Sequence, residues 1–243
     1  MPPGAILLDF GGTVADAPPQ RSAPPSLVLR IYNLTRGALT PGQIQRSLTE
    51  GSANYADWRD EDWPDELSQA EVWERFVLPG WPPAAQVPVR GAVKKLSYEW
   101  AWRDNWELRP GIPEAVHTAY AADIPLAIVS NTLSGAAHRD FLRKVGLSPY
   151  FAVQIYSDEA GVRKPNPQMI WNAADELGVP PENCWFVGDS RRRDVACARR
   201  ADVARAILMR SPRTDTEREA DWPTPDHEIC DGHELCDLIA KSL

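Results

Sequence analysis

The chain has 243 residues, 43% of them hydrophobic and 25% charged, which excludes a disordered chain and suffices for one large α/β domain, or for a core with a smaller insert. The net charge of −8 speaks against a general nucleic-acid binder, which needs a positive face for the phosphate backbone. It leaves room for a small anionic substrate, because a bound metal reverses the local field.

In chain order, residues 5–10 (AILLDF) read as a buried parallel strand ending in an acid and a Gly-Gly-Thr turn. The apolar run Ala5 to Leu8 is too short for a signal peptide or a membrane span, so a cytoplasmic location and no membrane partner are expected. Cys184, Cys197, Cys230 and Cys236 form no CxxC pair and fit a reduced protein. Residues 17–25, rich in Pro and Ser, read as a linker. From 26 to 105 strand signals vanish and helical patterns cover 26–36, 41–55, 65–77 and 89–104. Acids gather at Asp57, Asp60, Glu61, Asp62, Asp65 and Glu66, and the prolines of 78–88 are expected to break the helical pattern. Seven of the ten tryptophans fall between Trp58 and Trp106, at 58, 63, 73, 81, 100, 102 and 106.

After Pro110-Gly111 helices and strands alternate. Helices are predicted at 112–121, 134–145, 166–177, 192–201 and 233–242, and strands at 125–130, 152–156, 184–188, 205–209 and 227–230. This alternation predicts an α/β fold with a doubly wound parallel sheet, covered on both faces. Asp9, Ser130 and Asp189 stand where apolar strands end, the edge at which such sheets bind ligands.

Four sequence elements carry chemistry: Asp9-Phe10-Gly11-Gly12-Thr13, Ser130-Asn131, Lys164-Pro165-Asn166-Pro167, and Gly188-Asp189-Ser190 followed by Asp194. In this order they resemble the four motifs of the haloacid dehalogenase-like hydrolase superfamily, over residues 4–16 and 108–243. The resemblance implies a Mg²⁺-dependent hydrolase of a small phosphorylated substrate, with Asp9 as the nucleophile that forms an aspartyl-phosphate. It implies that Asp9, Asp189 and the backbone carbonyl of Gly11 bind the metal, with Asp194 supporting its shell. Lys164 would screen the nucleophile and the phosphate oxygens. Ser130, and with it Asn131, would donate hydrogen bonds to the transferring group. The chemistry agrees: a carboxylate attacking an anionic phosphorus centre needs positive charge, and a hard divalent cation on oxygen ligands supplies it. Gly12 and Thr13 read as turn residues, Thr13 holding the loop through a hydrogen bond and standing, with Asn131 and Asp16, as a candidate for substrate contact. Arg191, Arg192 and Arg193 read as a solvated loop, with contact to a substrate anion as the alternative.

The chain departs from the family pattern at Gly11, where phosphatases commonly carry the general acid–base Asp. Its loss typically costs roughly 10²–10⁴ in rate. Three readings follow: a phosphatase for substrates with good leaving groups or another proton source, a phosphonatase-like C–P hydrolase, or a protein that binds a phospholigand or partner and catalyses little. The phosphonatase reading needs a Schiff-base lysine from the insert, and only Lys94 and Lys95 are available, both late in it. Dehalogenation is disfavoured by the pair Asp189 and Asp194, which looks like a metal-using member.

By the same resemblance, residues 17–107 form a helical cap over a core of 1–16 and 108–243, with hinges near 15–25 and 104–110. The tryptophans either build the cap's own core or line an aromatic pocket, with Trp100, Trp102 and Trp106 nearest the hinge. Asp16 and Arg103 are further candidates for substrate contact. The C-terminal His227, Cys230, His233 and Cys236 imitate a zinc pattern, but the turn at Asp231-Gly232 should separate the two pairs. His117 and His138 are expected on solvated helix faces. The oligomeric state, monomer or homodimer, stays open.

Overall fold

The computed structural model describes residues 2–18, 22–59, 65–217 and 222–243; the predicted acids at 60–62 and Trp63 lie outside these. The elements run β1 (Ala5–Leu8), β2 (Ala15–Asp16), α1 (Pro25–Leu34), α2 (Pro41–Trp58), α3 (Gln69–Val72), α4 (Pro83–Arg90), α5 (Val93–Ala101), β3 (Glu107–Leu108), α6 (Ile112–Ala121), β4 (Leu126–Ser130), α7 (Gly135–Lys144), β5 (Phe151–Tyr156), α8 (Ser157–Ala160), α9 (Gln168–Leu177), β6 (Cys184–Gly188), α10 (Ala196–Arg200), β7 (Arg205–Met209), β8 (His227–Ile229) and α11 (Gly232–Ala240). No helix among the described residues is long and apolar enough to cross a membrane.

Six strands form one parallel sheet in the order β5-β4-β1-β6-β7-β8. β1 pairs with β4 on one side and β6 on the other, so its four apolar residues are buried on both faces. The alternation of side chains along the strand then divides the core. Ile6 and Leu8 pack toward Ile112, Phe141 and Leu235, from α6, α7 and α11. Ala5 and Leu7 pack toward Met169, Ile170 and Ala198, from α9 and α10. The chain winds outward from β1 to β5, then returns to β6 at β1's other side. This reversal opens a crevice at the carboxyl ends of β1, β4 and β6.

The insert has its own core, in which Leu27, Ile31, Ile44, Leu48, Trp73, Trp81 and Leu96 are buried. Trp73 and Trp81 satisfy their indole N–H groups on Ser97 Oγ and Ser47 Oγ, both at 2.9 Å. The expected break at 78–88 is only half present. Pro82 and Pro83 start α4, where a missing N–H costs little, and Pro88 sits within it. The two segments that cross between insert and sheet pair with each other as the antiparallel ribbon β2–β3.

Candidate active site

The carboxyl edge of the sheet gathers residues far apart in sequence. Asp9 follows β1, its backbone N–H bonded to Val187 O on β6 at 2.9 Å. Its carboxylate is buried and accepts from Lys164 Nζ at 2.8 Å. The same ammonium lies 2.6 Å from Asp194 Oδ1. Asn131 holds Lys164 in place: its Oδ1 accepts from the Lys164 N–H at 2.8 Å, and its Nδ2 donates to the Lys164 carbonyl at 2.9 Å. Asn131 lines the cleft, but these two bonds spend its carbonyl and one N–H on the lysine backbone rather than on a substrate.

A π-helical turn over Arg191–Val195 sets the fourth motif. Ser190 Oγ accepts from the Arg193 N–H at 3.1 Å, and Asp194 Oδ2 accepts from the backbone N–H groups of Asp189 and Ser190, both at 3.0 Å. Asp189 Oδ1 accepts from Arg213 Nη1 at 2.8 Å and its Oδ2 from Ser211 Oγ at 2.6 Å. Neither Ser211 nor Arg213 was predicted; they follow β7, whose carboxyl end was the signal that pointed there.

Three buried acids share little solvent. Burial raises Asp189 to about 6, against the attraction of Arg213. Burial also raises Asp194, with Lys164 opposing. Burial works on Asp9 the same way, but Lys164 outweighs it and Asp9 is held below its ordinary range. Of the three acids, Asp9 is therefore the one best kept ionised.

The donor set fits a hard divalent cation. Asp9, Asp189 and Asp194 each offer a buried carboxylate oxygen, all within 4.8 Å of one another. Gly12 explains how the turn reaches them: its φ is +82°, and a Cβ there would overlap the Asp189 carboxylate. Arg109 fixes this turn from behind, donating to Gly12 O at 2.6 Å and to the carbonyls of Arg210 and Cys230.

The cleft, of about 360 Å³, is lined from the sheet by Asp9, Gly11, Ser130, Lys164 and Asp194, and from the insert by Tyr55, Arg59, Trp100 and Arg103, with Trp106 at its return. Trp100 and Trp106 thus face it while Trp73 and Trp81 build the insert core. Two expected contacts lie elsewhere. Asp16 is exposed on β2, accepting from the Ala17 N–H, and Thr13 is wholly buried beneath the turn, its hydroxyl without a partner among the described residues. Two solvated readings are corrected. His138 is buried, its ring stacked 3.9 Å from that of Phe10, and burial pushes its pKa down to about 3. Arg193 turns into the cleft, while Arg191 pairs with Glu228 at 2.5 Å. His117 is exposed, as expected. The Asp231-Gly232 turn falls between β8 and α11, with Asp231 capping the helix through the N–H groups of His233 and Glu234.

With this geometry in hand, residues 4–202 match the family model described as "Hydrolase: haloacid dehalogenase-like hydrolase", and the chain belongs to that family. It is 37% identical over 100 residues to a glyceraldehyde 3-phosphate phosphatase of Methanopyrus kandleri, covering 41% of this chain and only 43% of that protein. It is 25% identical to a phosphoserine phosphatase of Thermus thermophilus over 98% of this chain and 99% of the relative. Among solved structures, CbbY from Rhodobacter sphaeroides in complex with phosphate superposes with a TM-score of 0.60, at 24% identity, over 96% of both chains; at that identity the likeness concerns the fold.

Proposed function

We propose that this hydrolase is a Mg²⁺-dependent phosphohydrolase of small phosphorylated metabolites. The observation that carries the reading is the buried Asp9–Lys164–Asp194 arrangement beside Asp189 at one sheet edge. The phosphatase names of the relatives from Methanopyrus kandleri and Thermus thermophilus support it.

In this reading Asp9 attacks phosphorus, the ester oxygen leaves, and water then cleaves the aspartyl-phosphate to return free Asp9 and inorganic phosphate. Lys164 keeps Asp9 ionised and lowers the repulsion between two anions. The Ser130 hydroxyl, at the end of β4, is the side-chain donor to the phosphoryl oxygens. Asp9, Asp189, Asp194 and the Gly11 carbonyl would hold Mg²⁺, which supplies charge stabilisation to the transferring group. Gly11 offers no proton, so the leaving oxygen draws its proton from solvent, and esters with weakly basic leaving groups are favoured. The insert, residues 17–107, serves as the cap that narrows the cleft and excludes water over a core of 1–16 and 108–243. The four cysteines, all unpaired, fit a reducing compartment such as the cytoplasm.

Hydrolysis of p-nitrophenyl phosphate is expected to require Mg²⁺ and to fall by at least about 10³-fold in Asp9→Asn, since the nucleophile itself is removed. Gly11 favours a second reading, a phospholigand-binding protein with little catalysis. Equal turnover by wild type and Asp9→Asn would leave only that one standing.

A further inference from the structure

The cleft holds more positive charge than chemistry at Asp9 uses. Lys164 is matched by Asp9 and Asp194, Arg213 by Asp189, and Arg163 by Glu66. Two guanidinium groups on the insert side have no such match. Arg59, just after α2, rests 4.7 Å from the Tyr55 ring centroid and has no carboxylate partner among the described residues. Arg103, just after α5, has a buried Nη1 without any hydrogen-bond partner among them. Both line the cleft that Asp9 lines from the other side. Burial lowers the pKa of each, Arg59 to about 10, with Arg163 adding repulsion. Half-buried guanidinium groups beside other cations are costly when unmatched and become strong, geometrically selective donors when an anion arrives. The phosphoryl group cannot be that anion, because it must sit on Asp9, against the sheet.

We propose that Arg59 and Arg103 form a subsite for a second anionic group, so that the substrate is a small phosphomonoester bearing a carboxylate or a further phosphate. This rests on the phosphohydrolase reading and adds the substrate's class to it. The phosphoryl end docks at Asp9, Lys164 and Ser130, and the other charged end docks against the insert. A cleft of about 360 Å³ suits a ligand of this size.

The test compares kcat and KM of the Mg²⁺-loaded protein for three two-carbon esters: 2-phosphoglycolate, ethane-1,2-diol bisphosphate and 2-hydroxyethyl phosphate. At least one charged ester should exceed the neutral one in kcat/KM by roughly 10- to 100-fold, the worth of one or two charge-assisted hydrogen bonds. Whichever does so identifies the group as carboxylate or phosphate. Arg59→Met and Arg103→Met should each shrink that ratio, mainly through KM, and Arg103→Lys should restore part of it. Arg46→Met, which removes an exposed charge from α2, should leave the ratio as it is. A wild-type ratio near one, or a ratio unmoved by both methionine variants, overturns the subsite. If wild type turns over none of the three, all alkyl esters with poor leaving groups, p-nitrophenyl phosphate decides the phosphohydrolase reading, and calorimetric titration reads the subsite alone. In that case tighter binding of 2-phosphoglycolate or the bisphosphate than of 2-hydroxyethyl phosphate, lost in Arg103→Met, supports it; equal binding of all three overturns it.

Discussion

Gly11 and Gly12 are adjacent and chemically opposite. A Cβ at Gly11 would meet no heavy atom within 4 Å, in a position that lines the cleft, whereas at Gly12 it would strike the Asp189 carboxylate. A side chain can therefore begin at 11 without its Cβ striking a neighbour. Gly11→Asp is expected to raise kcat on alkyl phosphates by about 10²-fold or more and to change aryl phosphates little, since only poor leaving groups need the proton. No gain in a variant that still binds Mg²⁺ would show that proton transfer does not limit the rate. His138 gives a pH prediction. Its folded pKa is about 3 against an ordinary 6.5, so as pH falls below 6.5 the unfolded chain takes up a proton that the folded chain refuses. Stability is thus lost on acidification, by on the order of 3 kcal/mol between pH 7 and pH 4 from this group. His138→Phe, which keeps a ring against Phe10, should flatten that part of the slope in urea melts at the two pH values. Identical losses in both proteins would refute burial as its cause.

Among elements, the segment entering α3 matters more than its length suggests. The Asp65 backbone bridges to Val162, and the Glu66 N–H bonds Gly161 O at 2.9 Å. The buried Glu66 carboxylate then accepts from Tyr55 Oη at 2.6 Å, Ser157 Oγ at 2.7 Å and Arg163 Nη1 at 2.9 Å. One acid thus joins α2 of the insert to the loop that carries Lys164. Glu66→Gln strands the Arg163 guanidinium in the interior and is expected to lower stability by about 3–5 kcal/mol. Pairing it with Arg163→Met should recover part of that loss, measured by urea denaturation; a double variant no better than the single would mean that the ion pair is not the source. The ribbon β2–β3 was read as two hinges because each of its strands spans two residues, too few for a periodic pattern.

At the scale of the molecule, what was legible is what the chain writes locally. The apolar runs of β1, β4 and β6 each end within two residues of Asp9, Ser130 or Asp189, so strand and site residue could be read together. Lys164 and Asp194 were found by their motifs. The unread residues act across the fold. Arg213 and Glu66 acquire their roles only when β7 is placed beside β6 and the insert beside the sheet. Two of them left a trace. His138 shares a helical stripe with the buried Phe141 and Leu142, three and four residues on, and Arg59 continues the stripe Ile44, Leu48, Gly51, Tyr55 of α2. Polarity masked both, because a charged or titratable side chain on an apolar stripe reads as an end to it.

Phe10, next to Asp9 along the backbone, is covered by the His138 face at 3.9 Å and approached edge-on by Trp106 at 5.2 Å and Phe141 at 5.7 Å. Aromatic rings from α7 and from the chain's return out of the insert thus grip it from several directions. The Asp9 carboxylate hangs from a backbone with almost nowhere to go, so in the proposed role of nucleophile its aim is set when the chain folds and is not found afresh with each molecule it meets.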